Sequence, residues 1–133
     1  MRKISGFTII ELVVVITILG ILAAVALPRF FDVQNDARGA VAAGVAGAVA
    51  SGAAINYGAR LAQGNLAGTA TVVNTCTTAV LSRTLTGGTW PTDITVTAGT
   101  LTTTMANGTV GTCTFAHSAG GNSTTVNIIA VSS

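Results

Sequence analysis

Two groups near the N-terminus of this 133-residue chain could carry chemistry: the peptide bond between Gly6 and Phe7, and the carboxylate of Glu11. Glu11 is the one ionisable side chain in the apolar run from Phe7 to Leu27. A charged side chain at the centre of a bilayer costs about 2.5–3.5 kcal/mol or more. Because a plain membrane anchor has no use for that cost, the sequence predicts that Glu11 has a partner.

The apolar run has the length of a membrane-spanning helix. Its 21 residues (27 − 7 + 1) would rise about 31 Å, which matches a hydrocarbon core of ~30 Å. Arg2 and Lys3 precede the run and predict a cytoplasmic N-terminus. The run is longer than the core of a secretory signal peptide, and the candidate cleavage point, Gly6, lies before it rather than after it.

The residues around this run resemble those of type IV prepilins. The match begins at the processing site, continues through the helix start and the Gly20–Pro28 segment, and covers about 30 residues; about ten more, beginning at Arg29, are similar to the mannose-sensitive haemagglutinin type of pilin. The matching stretches are Lys3-Ile4-Ser5-Gly6-Phe7-Thr8-Ile9-Ile10-Glu11-Leu12-Val13-Val14-Val15-Ile16, Gly20-Ile21-Leu22-Ala23-Ala24-Val25-Ala26-Leu27-Pro28 and Arg29-Phe30-Phe31-Asp32-Val33-Gln34-Asn35-Asp36-Ala37-Arg38.

The resemblance implies a maturation pathway and a set of partners. A prepilin peptidase would cut after Gly6 and methylate the new amine of Phe7, leaving 133 − 6 = 127 residues. The precursor would reside in the inner membrane until the pilus assembly machinery draws it into an extracellular filament of identical subunits. Glu11 would then face the Phe7 amine of a neighbour and set the subunit register, since a buried carboxylate is strongly penalised unless it is paired.

The chain divides by composition into a leader (1–6), an apolar helix (7–28), an amphipathic helix (29–60) and a β-rich head (61–133). The sequence predicts an α+β fold in which the amphipathic half of the long helix packs on a small antiparallel sheet. The resemblance implies the type IV pilin fold, in which the apolar half of that helix protrudes. Pro28 predicts a kink near residues 24–28. For Gly20 and Pro28 the resemblance further implies loss of helicity on assembly; a static bend is the alternative.

Spacing predicts which face of the second helix is buried. Five apolar or small residues recur at steps of 4, 3, 4 and 3, and a small-residue stripe overlaps them, which would let another element approach closely. We expect this helix to end near Tyr57 and Gly58. The predicted face is Val41, Val45, Ala48, Gly52 and Ile55; the stripe is Gly44, Ala48 and Gly52.

Threonine-rich alternation after residue 61 predicts several short strands. Asn107-Gly108, between two of them, is a strong signal for a hairpin turn. The predicted strands are Val80–Leu85, Ile94–Ala98, Leu101–Ala106, Thr109–Phe115 and Thr124–Val131.

The two cysteines, Cys76 and Cys113, predict a disulfide if the head lies outside the cytoplasm. A pair of free thiols or a metal site is the competing interpretation. Only His117 could join the cysteines as a ligand, and the spacing does not suit zinc, so no metal and no cofactor are predicted.

Composition argues against an enzyme and against a nucleic-acid-binding protein. The chain contains one histidine, His117, and Asp93 is the one carboxylate in the head. Neither a carboxylate pair nor a Ser-His-Asp site can be assembled from these residues. Charged residues make up 8% of the chain, and no basic cluster follows the first three residues.

We therefore expect a major structural subunit of a type IV pilus, serving adhesion, biofilm formation or motility. Two alternatives remain open. The first is a pseudopilin of a type II secretion system, although the head has no acidic cluster suited to calcium. The second is a membrane-anchored binding module that never polymerises, which a retained Arg2-Lys3 N-terminus would favour.

Overall fold

The computed structural model describes residues 6–64 and 71–132. A 54-residue helix, α1 (Ile9–Ala62), comes first, followed by a short helix, α2 (Thr78–Leu81), and a 3₁₀ turn, Ser82–Thr84. Three strands complete the chain: β1 (Ile94–Ala98), β2 (Val110–His117) and β3 (Thr124–Ile129). The helix followed by a small antiparallel sheet confirms the predicted α+β architecture. The chain forms two compact units, Met1–Gln34 and Asn35–Ser133; most of the predicted leader, 1–6, lies outside the described residues.

The first unit consists of the apolar part of α1. From Gly6 to Val33 every residue is exposed, including the large aliphatic side chains between Ile9 and Leu27. By length and composition this helix could cross a membrane. Burying such a surface in lipid or protein is strongly favourable, because each square ångström of apolar area removed from water contributes about 25 cal/mol.

The second unit is built around the remainder of α1, whose buried face differs from the predicted one. The predicted Val41 and Ile55 are 52% and 72% exposed. The face that packs into the core lies one residue further along, about 100° around the helix. Both stripes are apolar, and periodicity could not tell which of them the sheet would cover. The buried residues of α1 are Gly39, Ala42, Ala46, Val49, Ala53 and Arg60.

The sheet has the order β1-β2-β3, with both pairs antiparallel. Alternate residues of β2, namely Gly111, Cys113 and Phe115, are buried, so one face of the sheet contributes to the core. Phe115 is fully buried and stacks on Trp90 with ring centroids 6.2 Å apart. The same core cluster contains the buried residues of α1 from Ala42 to Ala53, which confirms that the second half of the helix packs with the sheet.

Two predicted strands are wrong. Val80–Leu85 forms α2 and the 3₁₀ turn instead, because Leu81 is fully buried and its amide bonds to the carbonyl of Thr77 at 2.9 Å. Leu101–Ala106 is a series of turns, in which the Met105 amide bonds back to Thr102 at 3.2 Å. In both segments tertiary contacts override the β-propensity of threonine.

The other strands lie within two residues of their predicted ends, whereas the Asn107-Gly108 turn and the end of α1 differ from prediction. Asn107-Gly108 does form a turn, with Gly108 at φ +79°, but it lies just before β2 rather than between two paired strands. Helix α1 continues past Tyr57 and Gly58 to Ala62. Its last turns gain a contact that sequence does not show: the Asn56 amide group bonds both to the carbonyl and to the amide of Thr71, the latter at 3.0 Å.

Two close backbone approaches fix α1 against the rest of its unit. At Gly52, a Cβ atom would overlap the carbonyl of Thr84. At Gly39, it would lie 3.1 Å from the Cβ of Asn122, in the turn between β2 and β3, and Arg38 donates to the carbonyl of Ala119 in the same turn at 3.0 Å. The predicted small-residue stripe is thus right at Gly52 but not at Gly44, which has open space around it.

These glycines make a matched pair for testing the packing. Gly52→Ala is expected to reduce the free energy of unfolding by about 1–3 kcal/mol, because the new methyl group collides with backbone. Gly44→Ala is expected to increase it by about 0.5–1 kcal/mol, since the exposed helix position gains helix propensity. Urea unfolding of the full chain in detergent, followed by Trp90 fluorescence, measures both changes. Equal effects at the two positions would contradict the close approach at Gly52.

Candidate functional site

The predicted processing site lies in an open part of the first unit. Gly6, Phe7 and Thr8 precede the first helical residue, Ile9, and therefore do not have helical backbone. Phe7 is 84% exposed, and no atom lies within 4 Å of a Cβ built on Gly6. A peptidase could reach this bond without unwinding α1.

Glu11 is hydrogen-bonded to the start of its own helix. Its Oε2 atom accepts from the Thr8 amide at 2.9 Å and from the Thr8 hydroxyl at 2.8 Å. The Thr8 hydroxyl in turn accepts from the Glu11 amide at 3.3 Å. This reciprocal arrangement is a capping box, which satisfies amide groups that have no partner at a helix N-terminus.

Sequence reasoning overlooked this cap. The signal was present, because Thr8-Ile9-Ile10-Glu11 has the Thr-x-x-Glu spacing that defines a capping box. The cap gives Glu11 a second role beside the predicted register: it orients the carboxylate at the first turn, next to Phe7. Exposed apolar side chains surround it, namely Phe7, Ile10, Val14 and Val15.

The predicted weak points of the helix, Gly20 and Pro28, both lie inside α1, which is helical on either side of them. Pro28 has no amide hydrogen to donate, so one hydrogen bond of the helix ladder is missing in the turn before it. The kink and the loss of helicity on assembly stay predictions.

The cysteine prediction is confirmed: Cys76 and Cys113 form a disulfide with an S–S distance of 1.98 Å. Cys113 is fully buried on β2 and Cys76 is nearly so, within the same core cluster. The bond therefore ties the segment before α2 to the central strand of the sheet.

The other polar residues considered in the sequence do not converge on a site. The ring Nδ1 of His117 accepts from the Ala119 amide at 3.1 Å, in the turn after β2. Asp93 is exposed just before β1. Within residues 6–64 and 71–132, no three His, Cys, Asp or Glu side chains group closely enough to hold a metal ion.

The N-terminal residues also match a known family profile. Residues 1–27 match the family profile described as the prokaryotic N-terminal methylation motif. The chain thus carries a prepilin-type motif at its N-terminus, and its long helix followed by a small antiparallel sheet is an architecture like that of type IV pilins.

Two known proteins are similar to part of this chain. The chain is 51% identical over 51 residues to the major component of the type IV narrow pilus, PilA5, of Thermus thermophilus, a match that covers 38% of this chain and 44% of that protein. It is 46% identical over 50 residues to the type II secretion system core protein G of Pseudomonas aeruginosa, covering 38% of this chain and 35% of that protein. The chain thus spans less than half the length of either relative, and no solved structure matches it. The finer resemblance to the mannose-sensitive haemagglutinin type stays a prediction.

Proposed function

We propose that this protein is the major structural subunit of a type IV pilus, acting as a building block rather than as an enzyme. The observation that carries the proposal is an exposed apolar helix whose first turn holds a carboxylate, directly after a processing motif. An apolar helix suits a membrane before assembly and a protein core after it. The carboxylate suits neither environment unless a positive charge comes to meet it.

Cleavage would create that positive charge. The bond between Gly6 and Phe7 is the proposed site of the prepilin peptidase, and its hydrolysis frees the amine of Phe7, which the same enzyme would methylate. A methylated amine keeps its charge, so the Phe7 amine of one subunit can pair with Glu11 of the next. The pairing would set the register, while burial of the apolar helices would supply most of the adhesion between subunits.

The charge balance of the mature chain supports polymerisation. Without Arg2 and Lys3, four arginines (29, 38, 60 and 83) face four acidic residues (11, 32, 36 and 93), so the side-chain charge is 4 − 4 = 0. Near-zero net charge favours association, because subunits do not repel one another.

A pseudopilin of a secretion system is the second candidate, supported by the likeness to core protein G. It would undergo the same processing and would pass through the same inner membrane, but it would build a short periplasmic assembly. A membrane-anchored binding module is the third candidate and would remain unprocessed.

Intact mass and N-terminal sequence of the protein from a sheared cell-surface fraction separate the three. We expect filaments whose subunit begins at a methylated Phe7. A processed chain confined to the cell envelope would replace the pilin proposal with the pseudopilin. A chain found only in membranes and still beginning at Met1 would overturn both.

A further inference from the structure

The turn before β2 contains a chemically reactive pair of residues. Asn107 is the only asparagine of the chain that is followed by glycine. Asparagine is a labile residue, because the main-chain nitrogen of the next residue can attack its side-chain carbonyl carbon. A glycine in the next position has no side chain to hinder that attack, so Asn107-Gly108 is the pair in this sequence most prone to the reaction.

The fold requires the glycine of this pair. Gly108 has a φ of +79°, in the left-handed region that residues with side chains rarely adopt. A Cβ atom built on Gly108 would also lie 2.8 Å from Cζ of Tyr57, which is too close for two carbon atoms. Tyr57 belongs to α1, so the turn lies directly against the helix. The reactive pair therefore cannot be removed by replacing Gly108 without straining the head.

The segment after β3 holds both of the groups that would react. The Gly108 amide donates to the carbonyl of Ala130 at 2.9 Å, and Oδ1 of Asn107 accepts from the Ser132 amide at 2.7 Å. The first bond engages the proton that must leave before the nitrogen can attack. The second bond fixes the orientation of the side-chain amide. We call residues 130–132 the clasp.

The clasp is itself anchored in the core. Ala130 and Val131 are fully buried. Val131 exchanges two backbone hydrogen bonds with Val73, at 2.8 and 2.9 Å, and the Ala130 amide donates to the carbonyl of Thr109 at 2.8 Å. Releasing the Asn107-Gly108 pair thus requires local unfolding of the clasp, and the rate of any reaction there follows the fraction of time that the clasp is open.

We propose that Asn107 is a latent site of deamidation, which the clasp keeps closed while the head is folded. When the clasp opens, the Gly108 nitrogen gives up its proton and bonds to Cγ of Asn107, and the side-chain nitrogen leaves as ammonia. The product is a cyclic succinimide. Water then opens the ring at either of its carbonyl groups and leaves an aspartate or an isoaspartate at position 107.

The reaction would prevent the clasp from closing as before. An isoaspartate lengthens the main chain by a methylene group and adds a negative charge, in a turn where the Gly108 amide must meet Ala130. A molecule whose clasp has opened for long enough is thus marked covalently. This site lies wholly in the head, so it does not depend on whether the subunits polymerise.

Incubation of the full-length protein in detergent at mildly alkaline pH tests the proposal. Peptide mapping by mass spectrometry follows the conversion of Asn107 to the acid, and an isoaspartyl methyltransferase assay identifies the isoaspartate. In the folded wild-type protein we expect conversion at least about tenfold slower than in protein unfolded by guanidinium chloride, because two hydrogen bonds must open first.

A pair of variants at Ser132 tests the clasp directly. Ser132→Pro removes the amide that holds Asn107 and is expected to speed conversion of the folded protein about fivefold, the effect of losing one hydrogen bond. Ser132→Ala is the matched control, because it keeps that amide and should react like the wild type. Fluorescence of Trp90 checks that both variants are folded.

Two results would overturn the proposal. One is folded wild-type protein in which Asn107 converts as fast as in the unfolded chain. The other is a folded Ser132→Pro variant that converts no faster than Ser132→Ala. The wild-type comparison needs no substitution, so it decides the matter even if proline disturbs the head.

Discussion

Replacing Glu11 with alanine is expected to leave the protein processed and inserted in the membrane but to reduce surface filaments at least about tenfold. The variant would leave the Phe7 amine of each neighbour buried without a counter-charge, and removing one partner of a buried pair costs about 3–5 kcal/mol. That cost recurs at every subunit contact. Filaments counted by electron microscopy and pilin recovered by shearing measure the effect.

The capping box makes it possible to separate the observed cap of Glu11 from its proposed role in subunit register. Glu11→Gln keeps a side-chain oxygen that can accept from the Thr8 amide but removes the charge. Thr8→Val keeps the charge but removes the hydroxyl, which costs a helix cap of about 1 kcal/mol. If charge sets the register, Glu11→Gln should be nearly as defective as Glu11→Ala, while Thr8→Val should still form filaments.

If Glu11→Gln still formed filaments while Thr8→Val did not, the role of Glu11 would be helix capping alone. Normal filament number and length in Glu11→Ala would contradict the register hypothesis. Urea unfolding of the head provides a control, because Thr8 and Glu11 lie in the first unit and should not change the stability of the second.

Removing the disulfide is expected to have the largest effect on stability. Cys76 and Cys113 are 37 residues apart, and the chain-entropy estimate for a loop of this size is about 4 kcal/mol. This is a large share of the 5–15 kcal/mol that stabilises an ordinary domain. The double variant Cys76→Ala/Cys113→Ala should therefore unfold at a much lower urea concentration, as followed by Trp90 fluorescence.

Reduction of the wild-type protein is the matched control, since it opens the loop but keeps both sulfur atoms in the core. The reduced protein should lose most of the same free energy of unfolding, and the double variant somewhat more, because alanine fills less of the buried space around Cys113. Identical unfolding midpoints for the oxidised and reduced protein would contradict a stabilising role for the bond.

The N-terminal part could be predicted from the sequence because its signals are local. The length of the apolar run, the lone Glu11 within it and the prepilin-type motif around Gly6 and Phe7 depend only on neighbouring residues. The capping box was equally local, and its omission was a failure to apply a known pattern to Thr8 and Glu11.

The head shows where local signals stop being sufficient. Ile94–Ala98 was predicted with its true boundaries, because its alternation matches its burial on one face. Val80–Leu85 also combines β-branched and apolar residues with polar ones, but it forms α2 and the 3₁₀ turn, in which Leu81 is buried in the core and Thr84 contacts Gly52. Neither contact could be predicted from the residues of that segment, because both depend on parts of the chain distant in sequence.

The sequence by itself determined that this chain has a long apolar helix after a prepilin-type motif, and a Thr-rich sheet with two cysteines available to bond. Only the tertiary structure decided which of two adjacent apolar stripes of α1 is covered. The core took the row from Ala42 to Ala53, because its mostly alanine side chains allow close approach, and it left Val41 and Ile55 exposed. Periodicity measures how apolar a face is, whereas burial depends on the shape of what packs against it.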